Sequence, residues 1–268
     1  MNTLRYEAKE SIGFLTLSRP ERLNALNYEM VRELRTFFRE RKTDFGTRVI
    51  IVTGEGRGFC AGLDLRMGPE TRPWVEGLGP VQTSYAFQED IAELMTLMRA
   101  CPQPLIAAVN GPAAGGGLSL ALACDLRLAT PSARFACSFV NLGLSGCDVG
   151  SSYFLPKLVG PAWAADMIYS GRLVDAEEAL RIGLVNEIVE PERLLARAEE
   201  VARTWTARSS PFGLRLSKEV LNETVAGVPL ETALKLENRN QILAAQTEDA
   251  SEARSAFAER REPRWRDR

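Results

Sequence analysis

Short runs of β-branched and aliphatic residues recur along the first part of the chain, separated by stretches with the spacing of helices. Four of these runs predict buried strands, at Ile12–Leu17, Val49–Thr53, Leu105–Val109 and Leu126–Ala129. Everything after Pro191 shows the periodicity of amphipathic helices, and no repeat of fixed length is evident. The pattern therefore predicts an α/β protein whose last part is helical.

One predicted strand runs into a helix-like stretch through three consecutive glycines. The segment PLIAAVNGPAAGGGLSLALACDL, residues 104–126, places Gly115, Gly116 and Gly117 where the helix should begin. Glycine lets a ligand approach the backbone closely, and the first NH groups of a helix have no partner within it. The segment has neither the GxxxxGK[ST] pattern nor the GxGxxG spacing of nucleotide-binding loops. We therefore expect this turn to hold a carbonyl oxygen that becomes negatively charged.

A second segment has the same layout. In VIIVTGEGRGFCAGLDL, residues 49–65, a strand-like run is followed by a glycine-rich turn and by an apolar stretch that opens near Leu63. Two such turns can supply two backbone NH donors. Asp64 lies at the start of the apolar stretch, and we expect its carboxylate to cap a helix there rather than to act in catalysis.

Composition and charge narrow the choice of partners. Of the 268 residues, 45% are hydrophobic, and 33 basic residues against 35 acidic ones give a formal net charge of -2. This balance argues against nucleic acid or an anionic membrane as a partner. The N-terminal MNTLRYEAKE lacks the form of a signal peptide, and no apolar run approaches membrane-spanning length. We therefore expect a cytoplasmic protein.

Histidine is absent from the chain. Its absence removes the commonest metal ligand and the usual general base, so Ser-His-Asp hydrolysis and a histidine-ligated zinc site are excluded. Five cysteines, an odd number, form no CxxC pair, which argues against a disulfide framework. We expect most of them to be buried apolar residues, and we expect no metal site.

Five segments, in this order and spacing, resemble the enoyl-CoA hydratase/isomerase, or crotonase, family. They are SRPERLNAL (Ser18–Leu26), the two glycine-rich turns, GLVNEIV (Gly183–Val189) and SAFAERREPRW (Ser255–Trp265). The resemblance implies a crotonase-like spiral of ββα turns over residues 1–190, with an acyl-CoA site, and a C-terminal helical trimerisation region over residues 191–268. It also implies a homotrimer or homohexamer.

The resemblance also implies particular site residues. In the family, the backbone NH groups at the positions of Leu63 and Gly116 form an oxyanion hole. Coenzyme A is part of the substrate, and no separate cofactor is expected. The residues expected to contact the acyl-CoA are Arg22, Leu23, Ala25, Ala61, Leu63, Asp64, Leu65, Gly115, Gly116, Ser119, Phe139 and Leu142.

The sequence departs from the hydratases at both of their catalytic glutamates. Ser119 and Phe139 occupy the two positions, so standard addition of water is in doubt. Asp148, in LSGCDVGSSYFLPKLVG, resembles an aspartate of dienoyl-CoA isomerases, and it is our candidate for proton transfer. The competing interpretation is that Asp148 caps a helix that starts at Val149 or Gly150.

These observations predict an acyl-CoA enzyme that stabilises a thioester enolate, with isomerase-type proton transfer favoured over hydration. Two alternatives stay open: a hydrolase or cyclase of the same family that acts on a carbon-carbon bond, and a CoA-thioester-binding protein without turnover. The loop Arg66–Ser84, with Trp74 near its centre, is expected to cover the pocket. The basic tail ERREPRWRDR is expected to be solvated. Further polar candidates that the sequence does not rank are Ser138, Asn141, Ser145, Ser151 and Ser152.

Overall fold

The chain folds into a mostly parallel sheet covered by helices. A computed structural model describes residues 1–67 and 77–268. Within these ranges the strands are β1 (Leu4–Lys9), β2 (Ile12–Leu17), β3 (Val49–Gly54), β4 (Leu105–Val109), β5 (Ala113–Ala114), β6 (Leu126–Ala129), β7 (Arg134–Ala136), β8 (Val174–Asp175) and β9 (Glu187–Ile188). The helices are α1 (Tyr28–Glu40), α2 (Pro80–Ala100), α3 (Gly116–Ala123), α4 (Ser151–Ser170), α5 (Ala176–Arg181), α6 (Leu194–Arg208), α7 (Pro211–Ala226), α8 (Leu230–Ala245) and α9 (Glu248–Glu259). None of these helices is long and apolar enough to cross a membrane.

The main sheet has the strand order β1-β2-β3-β4-β6-β9. Only the β1–β2 pair is antiparallel within it, and each later pair is parallel. A second, smaller sheet has the order β5-β7-β8. All four strands expected from the apolar runs are confirmed, as β2, β3, β4 and β6, and they are consecutive neighbours in the main sheet.

The central strand β3 is buried along its whole length. Ile50 and Val52 point to one face of the sheet, where they belong to the same apolar cluster as residues of α1 and α2. Val49 and Ile51 point to the other face and cluster with residues of α6, such as Leu194. Burial on both faces explains why β3 reads as a continuous apolar run. The helix α6 thus covers one face of the sheet. The expected division of the chain into residues 1–190 and 191–268 stays a prediction.

The loop expected over Arg66–Ser84 is shorter than that. The helix α2 begins at Pro80, so the expectation of a loop is wrong for residues 80–84. Proline is well suited to the first turn of a helix, because its fixed φ is helical and its missing NH would have no partner there. Residues 68–76, which include Trp74, lie outside the described part of the chain, and the expected pocket cover stays a prediction.

Four of the five cysteines are buried, as expected, and Cys147 is exposed. All five are free thiols. Burial raises the pKa of the Cys60 and Cys124 thiols to about 12. These two cysteines therefore act as small apolar residues of the core.

The side chains of the C-terminal tail, residues 259–268, are exposed or half-buried, as expected, but the tail is also bound to the rest of the chain. The Trp265 indole NH donates to the carbonyl of Ala207, at 2.8 Å. The Asp249 carboxylate, which is buried, accepts the backbone NH groups of Arg266 and Asp267 at 2.7 and 2.9 Å. The tail is therefore solvated along its charged side chains and anchored through its backbone to a carboxylate on α9.

We predict that Asp249→Asn destabilises the protein. A carboxamide replaces one of the two carboxylate oxygens by a donor, so one of the tail NH groups loses its acceptor. The free energy of unfolding, measured by urea denaturation, should fall by about 1–2 kcal/mol. Glu231→Gln is the matched control, because Glu231 also lies in the first turn of a helix but is exposed. Equal losses in the two variants would contradict a role for the tail contacts.

Candidate active site

The two glycine-rich turns lie against each other and are joined through their backbones. The NH groups of Phe59 and Cys60 both donate to the Pro112 carbonyl at 3.1 Å. In return, the Ala114 NH donates to the Cys60 carbonyl at 3.1 Å. Because β3 and β4 are parallel neighbours, their carboxyl ends bring the two turns to the same edge of the sheet.

Two glycines make this contact possible. A Cβ atom on Gly117 would overlap the Cys60 carbonyl group. A Cβ atom on Gly62, which has a φ of +91°, would lie 2.7 Å from the Ala114 carbonyl oxygen and 3.5 Å from the Gly116 nitrogen. Neither position has room for a side chain, so glycine is required for close packing here.

The backbone NH groups of Leu63 and Gly116 take no part in this hydrogen-bond network. Beside them, the Asp64 NH donates to the Leu26 carbonyl and the Gly115 NH donates to the Ala136 carbonyl, each at 2.9 Å. Within the described ranges neither the Leu63 NH nor the Gly116 NH has an acceptor. Gly116 is the first residue of α3, where an NH group has no partner inside the helix. The structure therefore brings together two unpaired donors on two adjoining turns.

Both donors belong to residues that line one cavity of about 340 Å³. The two turns form one wall, and the other walls come from α2 and from the segment between β7 and α4. The described residues that line the cavity are Leu26, Ala61, Gly62, Leu63, Leu65, Gln88, Ile91, Gly115, Gly116, Ser138, Phe139, Asn141, Leu142, Leu144, Asp148 and Val149. Most of these side chains are apolar, and the polar ones are Gln88, Ser138, Asn141 and Asp148.

Asp148 lines the cavity and is half-buried. Its Oδ1 atom accepts the Gln88 side-chain amide at 2.6 Å and the Val149 NH at 2.8 Å. The helix α4 begins at Ser151, with Gly150 at the N-cap position and no side-chain cap. The alternative that Asp148 caps a helix starting at Val149 or Gly150 is therefore wrong, because no helix starts there and the carboxylate turns toward α2.

The segment expected to contact coenzyme A lies beside the first turn. The Ala61 NH donates to the Leu23 carbonyl at 3.0 Å, and the Leu26 NH donates to the Gly62 carbonyl at 2.7 Å. Ala25 is buried, whereas Arg22 is half-buried and its guanidinium makes no hydrogen bond or ion pair with the described residues. The structure thus brings the expected residues 22–25 next to residues 61–65.

Asp64 does not cap a helix, which corrects the expectation from the sequence. Residues 65 and 66 form a turn, and the Asp64 carboxylate pairs with the Arg19 guanidinium at 2.9 Å. It also accepts the Arg66 NH at 3.2 Å. Burial alone would raise the pKa of Asp64, but the bonds from Arg19 and Arg66 outweigh it, so this pKa lies below its usual value.

The two positions that carry glutamates in hydratases lie in different surroundings. Phe139 lines the cavity, and its ring edge lies 3.5 Å from the place where Gly115 would carry a Cβ atom. Ser119 is completely buried, does not line the cavity, and has its hydroxyl 3.5 Å from the Gly115 carbonyl. The structure therefore places Ser119 as a packing residue of α3 and not in contact with the cavity.

Gln88 and Ile91, which form the α2 wall of the cavity, were not expected from the sequence. Their spacing of three places them on one helix face, but a single exposed glutamine carries no signal that it meets Asp148, 60 residues away. Among the unranked polar residues, Ser138 and Asn141 line the cavity. Asn141 donates to the Gly171 carbonyl at 2.9 Å.

Comparison with known proteins identifies the family of this chain. The sequence profile of enoyl-CoA hydratase/isomerase matches residues 7–268. The chain belongs to the enoyl-CoA hydratase/isomerase family. A probable enoyl-CoA hydratase of Mycobacterium tuberculosis, EchA12, is 37% identical over 260 residues, 97% of this chain and 90% of that protein. The 1,2-epoxyphenylacetyl-CoA isomerase of Escherichia coli is 35% identical over 266 residues, 99% of this chain and 98% of that protein.

Solved structures of enoyl-CoA hydratase/isomerase relatives share the fold of this chain. The crystal structure of a probable enoyl-CoA hydratase/isomerase from Mycobacterium abscessus superposes with a TM-score of 0.90 at 34% identity, covering 99% of both chains. A putative enoyl-CoA hydratase from Streptomyces coelicolor gives a TM-score of 0.91 at 36% identity, covering 99% of this chain and 94% of that one. The expected crotonase-like α/β fold is confirmed.

We predict that Asp64→Asn destabilises the protein at neutral pH and not at acidic pH. Because the pKa of Asp64 is lower in the folded state, its contribution is complete above the unfolded-state pKa of about 3.9 and is lost as the pH falls through the folded-state value. The free energy of unfolding should drop by about 2 kcal/mol at pH 7. The difference from the wild type should shrink toward pH 2.

Asp166→Asn is the control for this measurement, since the Asp166–Arg172 ion pair lies at the surface. Its effect at pH 7 should stay below about 1 kcal/mol. An Asp64→Asn loss that is as large at pH 2 as at pH 7 would show that the ion pair with Arg19 is not its source.

Proposed function

We propose that this protein moves a proton at the α-carbon of an acyl-CoA, as an isomerase of the enoyl-CoA hydratase/isomerase family. The thioester carbonyl accepts hydrogen bonds from the NH groups of Leu63 and Gly116. These bonds strengthen as the carbonyl oxygen gains negative charge in the enolate, so they favour the transition state over the substrate. Asp148 takes the proton and returns it at another carbon.

One observation carries this proposal. Asp148 is the only ionisable side chain among the described residues that line the cavity. A proton-transfer step needs one group that accepts and returns the proton, and positioned groups of this kind contribute about 10²–10⁴ in rate. The relatives include both reactions. The 1,2-epoxyphenylacetyl-CoA isomerase of E. coli, at 35% identity, supports an isomerase, and the crotonyl-CoA hydratase of Syntrophomonas wolfei, at 33% identity, is a hydratase.

The surroundings of Phe139 and Ser119 argue against hydration. Addition of water needs a group that directs the water, in addition to one that delivers a proton. The Phe139 ring is apolar, and Ser119 does not line the cavity. Neither side chain is able to replace a glutamate in that role.

The CoA moiety is proposed to lie along residues 22–25 and 61–65. Arg22 supports this placement, because its guanidinium is unpaired within the described ranges and suits a phosphate. A homotrimer or homohexamer is also proposed. The exposed apolar side chains of Leu230, Ile242 and Phe257 on the C-terminal helices are consistent with a covered face.

The test is deuterium uptake at the α-carbon of a panel of saturated and unsaturated acyl-CoAs in D₂O, measured by mass spectrometry. Wild-type protein should label at least one thioester, and Asp148→Asn should reduce the rate by about 10² or more because the base is lost. Binding of the acyl-CoA, measured by calorimetry, should change little. Asp166→Asn, whose carboxylate lies outside the cavity, should label at the wild-type rate.

Two results would contradict the proposal. Undiminished labelling by Asp148→Asn would place the base elsewhere. If the wild type binds acyl-CoAs but labels none of them, a CoA-thioester-binding protein without turnover is favoured. A search for carbon-carbon bond cleavage with the same panel would then distinguish this binding protein from a hydrolase.

A further inference from the structure

The hydrogen bond between Gln88 and Asp148 joins two cavity walls that are distant in sequence. The Gln88 Nε2 atom lies 2.6 Å from Asp148 Oδ1, and the two residues are separated by 60 positions. The Val149 NH reaches the same oxygen at 2.8 Å. The Oδ2 atom has no hydrogen bond or ion pair with any described residue. The two donors thus hold one oxygen of the carboxylate and leave the other oxygen free.

The chemistry of the pair fixes the orientation of both groups. An ionised carboxylate has only acceptor sites, so Gln88 has to present its amide nitrogen and not its oxygen. A carboxylate held at Oδ1 by two donors from different directions loses its freedom to rotate about the Cβ–Cγ bond. Its Oδ2 lone pairs then keep one direction, which is what proton transfer to or from a fixed carbon requires.

The helix that carries Gln88 is itself anchored. Ile91, three residues further along α2, is buried, and so is Met95. On the α1 side, the Phe87 ring lies 4.0 Å from the Tyr28 ring. Gln88 therefore approaches Asp148 from a helix with a fixed position.

The backbone next to Asp148 is strained. Val149 has a φ of +37°, a conformation that a β-branched side chain rarely adopts. The same residue donates its NH to the Asp148 carboxylate, at 2.8 Å. Strained backbone of this kind persists only where the surrounding structure holds it, and it is concentrated at functional sites.

We propose that Gln88 is a positioning residue that orients the Asp148 carboxylate, with Oδ2 as the atom that carries the proton. This inference rests on the proposed function of Asp148. It predicts that Gln88 acts on the proton-transfer step, through Asp148, and that it contributes little to substrate binding.

Gln88→Met tests the inference, because methionine keeps the length of the side chain and removes the donor. The α-carbon exchange rate at saturating acyl-CoA should fall about fivefold to tenfold, the size expected for one hydrogen bond. KM should stay within about twofold. Gln82→Met is the matched control, since Gln82 is an exposed glutamine on the same helix that does not line the cavity. It should exchange at the wild-type rate.

The double variant separates positioning from a general effect on the helix. In an Asp148→Asn background, Gln88→Met should cause no further loss, because the carboxylate that it orients is gone. A full additional loss there, an equal loss in Gln82→Met, or a rise in KM at unchanged maximal rate would overturn the role of Gln88.

Failure of this inference is distinguishable from failure of the proposed function. If Asp148→Asn abolishes exchange and Gln88→Met leaves it unchanged, the proposed function stands and the positioning role is wrong. If Asp148→Asn exchanges at the wild-type rate, both are wrong.

Discussion

The backbone-to-backbone packing of two strand-to-helix turns is the contact on which the site depends. The Ala114 NH bonds to the Cys60 carbonyl, and Gly117 lies so close to that carbonyl that a side chain does not fit. Parallel pairing of β3 with β4 fixes where each turn begins. Because the turns touch, the unpaired NH groups that follow them, at Leu63 and Gly116, belong to one cavity wall. Hydrogen bonds weaken steeply with distance and angle, so a single methyl group at this contact would separate the two donors and remove their common acceptor site.

The scarcity of polar groups in the cavity determines which chemistry it supports. The Leu63 and Gly116 residues that carry the backbone NH donors and the Asp148 carboxylate line the same cavity, and most of the other lining side chains are apolar. Fixed backbone dipoles need no reorganisation as charge develops. The proposed enolate chemistry uses both kinds of group at once: the donors stabilise the oxygen while the carboxylate moves the proton at the carbon. The bonds from Gln88 and from the Val149 NH concern only the second of these tasks.

The sequence predicted the parts of the fold that follow from local pattern. A strand that is buried on both faces has to be apolar throughout, so β3 could be predicted from its continuous apolar run. The clusters of glycine that follow β3 and β4 predicted the two turns. Prediction failed for residues whose type fits two different structural roles, because the choice between the roles depends on a contact with a distant part of the chain. Pro80 reads equally as loop or as first helical residue. Asp64 was expected to cap a helix, but it pairs with Arg19. For Asp148 a cap was the competing interpretation, and the sequence contained no sign of its bond to Gln88. The tail is solvated as expected, but its charges carry no information about the buried Asp249 that accepts its backbone NH groups.

Phe139 bears on both the missing hydratase glutamate and the proposed proton transfer. Hydration and proton transfer place different demands on the wall beside Gly115: hydration needs a polar group that holds a water molecule, whereas an enolate is protected from side reactions by the exclusion of water. The Phe139 ring and the Ser138 hydroxyl share that wall, each 3.5 Å from the place where Gly115 would carry a Cβ atom. Phenylalanine at the position of a hydratase glutamate therefore removes a carboxylate that would direct water and adds an apolar ring, while the hydroxyl beside it has no charge. The two proposed oxyanion donors are backbone NH groups and do not depend on either side chain, so the proposed stabilisation of the enolate oxygen is independent of the residue at position 139.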